Sequence, residues 1–193
     1  MLPQTNQMPQ KVPLRFTVDE YYKLIDLGML HDYEQAEIIE GELIRKMPIG
    51  DKHAAVVERL NEFLRDELGK SVSIRSQQPI RLNEYTEPQP DLAVLKRRDD
   101  FYRFGKPLPQ DVLCLIEVSD ATLRYDRDSK LSMYAEAEIL ETWIVNLQKN
   151  IIEVHQHPNL GVYQLTKLYK CGETVTSETI PNLQIEVDKI LGE

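Results

Sequence analysis

Three polar side chains stand in or beside segments that otherwise read as buried β-runs: Asp91 in PQPDLAVL, Glu117 in VLCLIEVSD, and Lys130 shortly afterwards in DRDSKLSMY. A carboxylate in such surroundings is costly unless something pairs with it. Two carboxylates at strand ends are hard oxygen ligands for Mg2+ or Mn2+, and a nearby ammonium can stabilise developing negative charge. Those are the parts of a divalent-metal site for phosphodiester hydrolysis. Strand alternation puts Glu117 and Ser119 on one face and Ile116 and Val118 on the other, so Glu117 is expected at the exposed end of a buried strand. Pro90 biases its predecessor toward extended backbone, which sets Asp91 at the very start of LAVL. Neighbouring strands lie about 4.8 Å apart, so the two carboxylates can share one cation if their strands pair. The plain alternative is a pair of satisfied strand-end carboxylates, with Lys130 in a surface ion pair to Asp126 four residues earlier.

The elements that must position these residues follow in order. In FTVDEYYKLIDLG, Thr17 is a plausible N-cap, Glu20 completes a capping box and Gly28 ends a short helix. AEIIEGELIRKMP reads as a hairpin turning at Glu40-Gly41. DKHAAVVERLNEFLRDELGK spaces Ala54, Val57, Leu60, Leu64 and Leu68 as an amphipathic helix. Extended pieces follow in SVSIRSQQPIRL, PDLAVLKR and VLCLIEVSD. A second helix over about 126–137 precedes ETWIVNLQ, IIEVHQHP and GVYQLTKLYK, with Asn150, Asn159 and Gly161 marking the turns of a closing meander. The sum is an α/β (α+β) fold, a central mixed sheet flanked by helices. Residues 16–193 are expected to form one domain, and residues 1–15 a flexible arm rather than a signal peptide.

A net charge of −9 argues against a protein that coats nucleic acid nonspecifically. It leaves room for a nuclease docking through a local patch, such as Lys96, Arg97, Arg98, Arg103 and Lys106 with Phe101, Tyr102 and Phe104 interleaved, although such a loop can equally be a solvated surface. No apolar run approaches the ~18 residues of a membrane span, and a cytoplasmic protein is expected. Cys114 and Cys171 read as reduced thiols. Glycine-rich phosphate loops, G-x-S-x-G, H-E-x-x-H and C-x-x-C are missing from the sequence. His155 and His157 alternate on one strand but lack a third ligand, and Trp143 reads as core.

In AEIIEGEL, His53 in the helix after it, PQPDLAVL and LIEVSDATLRYDRDSKLSMYAEAEILETWIVN, the chain resembles the Uma2-like (DUF820) branch of the PD-(D/E)XK restriction-endonuclease-like superfamily over roughly residues 16–190. The resemblance implies a restriction-endonuclease-like core, Mg2+- or Mn2+-dependent hydrolysis of DNA, and a homodimer. It implies Asp91 and Glu117 as metal ligands, Glu37 and the Val118 carbonyl as further ligands, and Lys130 as a catalytic lysine moved from the E-x-K position, where this chain has Ser119. His53, Gln78, Arg81 and Ser119 are candidates for substrate contact, and each of them also fits an ordinary structural or surface role. A nuclease fold that no longer cuts and serves as a binding or regulatory module is the competing expectation.

Overall fold

The computed structural model describes residues 14–30, 36–46, 48–120 and 129–192. Helix α1 (Val18–Asp26) begins at Thr17, whose backbone is extended and whose hydroxyl accepts from Glu20 N. The Glu20 carboxylate accepts from Thr17 N in return, so the capping box read from the sequence forms. Strands β1 (Ala36–Ile39) and β2 (Glu42–Arg45) pair antiparallel, Ile39 opposite Glu42. Their turn needs positive φ at both central positions, and Glu40 (50°) and Gly41 (80°) supply it. Gly41 also has no room for a side chain, because a Cβ there would lie 2.7 Å from Arg15 Cβ and 3.0 Å from Phe16 O.

Helix α2 (Asp51–Leu68) follows, then strands β3 (Val72–Ser76), β4 (Leu92–Lys96) and β5 (Val112–Ser119). Helix α3 (Leu131–Glu136) leads to β6 (Glu141–Asn146), β7 (Ile151–Asn159) and β8 (Val162–Lys170). These six strands form one mixed sheet in the order β3-β4-β5-β6-β7-β8, antiparallel at every pairing except β5–β6. A parallel pair needs a crossover, and α3 lies in it. The helix expected over 126–137 is therefore present from Leu131, while Asp126 and its expected pairing with Lys130 lie outside the described residues.

The sheet carries a core on each face. Val57, Leu60 and Leu64 of α2 pack on the side of Ile116, Val118, Trp143 and Val145. Tyr134 and Ile139 cover the other side over Ala93, Leu95 and Leu115. Each fully buried Leu or Ile contributes roughly 1.5–3 kcal/mol relative to exposure, and that pull fixes which face of α2 meets the sheet. A third cluster joins α1 to the hairpin through Val18, Tyr21 and Ile38.

The chain does not close at β8. Short strands β9 (Thr174–Thr176) and β10 (Gln184–Glu186) pair in a separate two-stranded sheet, and α4 (Val187–Leu191) follows. Val175, Ile185, Val187 and Ile190 complete the α2-side core. Three-residue strands carry too little periodicity to be read from sequence. The β7–β8 turn falls on Leu160 and Gly161, both at positive φ, so Asn159 ends β7 instead of forming the turn. Among the described residues no helix is long and apolar enough to cross a membrane.

Candidate active site

The register of β4 against β5 pairs Leu92 with Ile116, and one step further the chain brings Asp91 level with Glu117. The expected strand pairing thus exists. Asp91 is buried, and its Oδ2 accepts from Val118 N at 2.9 Å and lies 3.0 Å from His53 Nε2 at the start of α2. Gln77 Nε2 donates to Oδ1 at 3.3 Å, and the Gln77 amide donates to the Asp91 carbonyl at 3.1 Å. Burial pushes the Asp91 carboxyl up, but the His53 ring, the Val118 amide and the Lys130 charge together outweigh it and hold the group below the usual carboxylate value. Asp91 is therefore an ionised acceptor at neutral pH.

Glu117 departs from expectation. Its side chain does point away from Ile116 and Val118, but it is only 2% exposed instead of standing at an open strand end. Residues 130–134 cover it: Lys130 Nζ donates to Oε1 and Oε2 at 3.0 and 3.1 Å, and the Tyr134 hydroxyl donates to Oε1 at 2.6 Å. Lys130 is itself buried and has helical backbone angles (φ −70°, ψ −42°), so the first turn of α3 aims its ammonium at the carboxylate.

Glu37 of β1 also approaches Lys130. It is 3% exposed, so it is a buried carboxylate and does not face solvent. Its Oε1 accepts from Gln89 N at 2.8 Å and lies 3.8 Å from Lys130 Nζ and 3.9 Å from Lys46 Nζ. Three carboxylates thus face two ammonium groups. Lys130 stands between Glu37 and Glu117 and pairs with both, and among the described residues no three His, Cys, Asp or Glu side chains converge as a metal-binding group. The donors are nonetheless all oxygen, and two carboxylates suit a hard cation such as Mg2+, which keeps several waters and needs no full protein cage.

The remaining candidates separate. His53 joins Asp91 directly. Gln78 is exposed, while its neighbour Gln77, which the sequence reading passed over, turns to Asp91 through a positive φ of 52°. Arg81 NH1 instead pairs with Asp19 Oδ1 of α1 at 2.7 Å. Ser119 is completely buried opposite Asn146, so it offers substrate no open surface. Tyr134, Lys46 and Gln89 also escaped the sequence reading. Tyr134 stands four residues after Lys130, on the same helical face, and that spacing was the available signal. His155 is buried against Thr166 Oγ1 at 3.0 Å, whereas His157 faces Glu178 at 3.3 Å.

A family model, Uma2, described as "Putative restriction endonuclease", matches residues 18–188. Among solved structures, the chain is similar to a crystal structure from Anabaena variabilis ATCC 29413 described as "a putative nuclease belonging to DUF820". The two are 15% identical, with a TM-score of 0.69 over 92% of this chain and 98% of that one. At that identity the likeness is one of fold. No curated protein matches the chain.

Proposed function

The chain belongs to the Uma2 family of restriction-endonuclease-like proteins, and from that premise we propose that it is a divalent-metal-dependent endonuclease that hydrolyses DNA phosphodiester bonds at the Asp91–Glu117–Lys130 site. The observation that carries the proposal is the bond between Lys130 and Glu117, at 3.0 Å. Ser119 leaves the usual position of the catalytic lysine empty of charge, and Lys130 delivers an ammonium to the same carboxylate from α3. A buried ion pair is by itself weak evidence for stability, so an ammonium held at this carboxylate supports a chemical role beside the structural one.

In this proposal Asp91 and Glu117 hold the cation, Mg2+ or Mn2+, with the Val118 carbonyl as a candidate further ligand and Glu37 as support. The cation, when bound, supplies Lewis-acid polarisation of the phosphoryl group and acidifies a bound water. The chain's own residues do the positioning. His53 and the Val118 amide fix the Asp91 carboxylate in its ionised form. Tyr134 holds Glu117 Oε1 so that the carboxylate keeps its orientation when the ammonium leaves it. Glu37, 3.8 Å from Lys130 Nζ, gives that ammonium a second anchor. Lys130 then hydrogen-bonds the attacking water or the phosphoryl oxygen, where its charge opposes the charge that accumulates in the transition state.

The test is Mn2+ titration of wild type and of an Asp91→Ala, Glu117→Ala double variant by calorimetry, followed by incubation of both with supercoiled plasmid. The expected result is Mn2+ binding and nicking by wild type, both absent from the variant. Cleavage that survives in the variant would overturn the assignment. Binding without nicking by wild type would turn the chain into a nuclease fold used for binding, and a homodimer would be the next property to measure in either case.

A further inference from the structure

At the end of β3 and β4 remote from Asp91, the last turn of α2, the sheet-edge strand β3 and the loop after β4 enclose a cleft of about 430 Å3. Four cations line it: Arg65 and Lys70 from the end of α2, Arg75 from β3 and Arg97 from the loop. Among the described residues no carboxylate lines it, in a chain whose net charge is −9. None of the four cations has an ion-pair partner among the described residues. The C-terminal end of α2 opposes them with only about half a negative charge. Of the cation run expected from the sequence, Arg98 pairs with Asp100 at 2.7 Å and Lys106 turns to Glu87 and Tyr22, while Arg97 lines the cleft.

Two further observations point to a ligand. Ser73, a residue 9% exposed, lines the cleft, and its buried hydroxyl has no hydrogen-bond partner among the described residues. A buried hydroxyl left without a partner costs free energy that an incoming oxygen acceptor recovers. The aromatic wall is pre-arranged as well: Arg97 lies 4.1 Å over the Phe101 ring, Arg75 lies 5.4 Å over the Tyr102 ring, and Phe101 is 58% exposed. Arginine planes held on aromatic rings lose little freedom on meeting a phosphate.

We propose that this cleft grips the phosphodiester backbone of the DNA substrate away from the scissile bond; the proposal rests on the nuclease assignment and gives that site its docking surface. The connection is along β3. Ser73 is four residues before Gln77, which bonds Asp91, so the cleft stands roughly 13 Å from the carboxylates at about 3.3 Å per residue. Duplex DNA advances about 3.4 Å per base pair along its axis, so a duplex laid along β3 would meet the cleft some four base pairs from the cut.

The test measures binding of a fluorescent 24-base-pair duplex by anisotropy across a KCl series in EDTA, where metal-dependent cleavage is silent. Wild type, the Lys70→Gln, Arg75→Gln, Arg97→Gln triple variant and Lys170→Gln are compared, with circular dichroism and thermal melting to establish that each is folded. The triple variant is expected to bind about a hundredfold more weakly near 0.1 M KCl and to lose about three from the slope of log K against log salt. Lys170→Gln, on β8 at the opposite edge of the sheet, should bind as wild type does. Equal affinity and slope in wild type and the triple variant would overturn the proposal, as would absence of wild-type binding at about 50 mM KCl. Polyglutamate competing as well as DNA would make the cleft a general anion surface and remove the nucleic-acid assignment. Cleft-dependent binding without plasmid nicking in Mn2+ would support the cleft while rejecting the nuclease assignment.

Discussion

Lys130 Nζ lies 3.0 and 3.1 Å from the two carboxylate oxygens of Glu117, thirteen residues earlier in the chain, and both side chains are almost wholly buried. Removing Lys130 takes the ammonium from the buried Glu117 carboxylate, and removing Glu117 leaves Lys130 with the more distant Glu37 at 3.8 Å. Lys130→Ala or Glu117→Ala should therefore cost about 3–5 kcal/mol, whereas Lys130→Met with Glu117→Gln should recover most of that loss. Urea denaturation checks both statements, and single variants as stable as wild type would mean that the pair is not closed in solution.

The Tyr134 hydroxyl offers a milder perturbation, because its 2.6 Å bond to Glu117 Oε1 can be deleted without removing a charge. Tyr134→Phe should destabilise by about 1.5–3 kcal/mol and reduce plasmid cleavage by an order of magnitude or more. Mn2+ affinity should weaken in parallel, since the carboxylate loses the group that orients it. A cleavage rate and Mn2+ affinity both equal to wild type would assign Tyr134 to packing alone.

Alkaline pH should weaken the fold. Burial, with the Glu141 charge adding to it, raises the Cys114 thiol well above its ordinary 9.0. Burial likewise raises the phenols of Tyr163 and Tyr22, the latter helped by Glu87. All three keep their protons longer folded than unfolded, so the stability tied to them is complete below the unfolded values and falls as pH rises beyond them. The slope is roughly 1.4 kcal/mol per pH unit for each group in play. The urea midpoint should hold from pH 7 to about 8.5 and then decline, with Cys114→Val delaying the onset; identical pH courses for the two proteins would contradict the assignment to Cys114.

At the start of α1 the cap can be tested on its own. Thr17→Ala should cost about 1 kcal/mol in chemical denaturation, and Thr17→Asp much less, because Asp can still accept from the Glu20 amide. Equal losses for both substitutions would show that packing, and not the capping bond, holds that turn.

Much of this architecture was legible beforehand because it depends on local rules. The Thr17-Glu20 box, the Glu40-Gly41 turn and the three-four spacing of Val57, Leu60 and Leu64 are properties of short segments, and each appears where the residues place it. Strand alternation likewise put Glu117 and Ile116 on opposite faces. The elements that escaped were too short to carry a period, namely β9, β10 and α4, whose place is fixed by burying Val175, Ile185 and Ile190 in a core built by distant strands.

For the site, the sequence by itself determined the chemical cast: Asp91 at the head of an apolar strand, Glu117 inside another, and a lysine one helix later. Only the tertiary structure decided how these residues meet. It buried Glu117 under α3, set Lys130 between Glu117 and Glu37, turned Gln77 rather than Gln78 to Asp91, and sent Arg81 to Asp19. The physical reason is range. Caps, turns and alternation are set by neighbours within about four residues, whereas the partner of a buried charge is whichever opposite charge the packing of remote elements brings within hydrogen-bond reach.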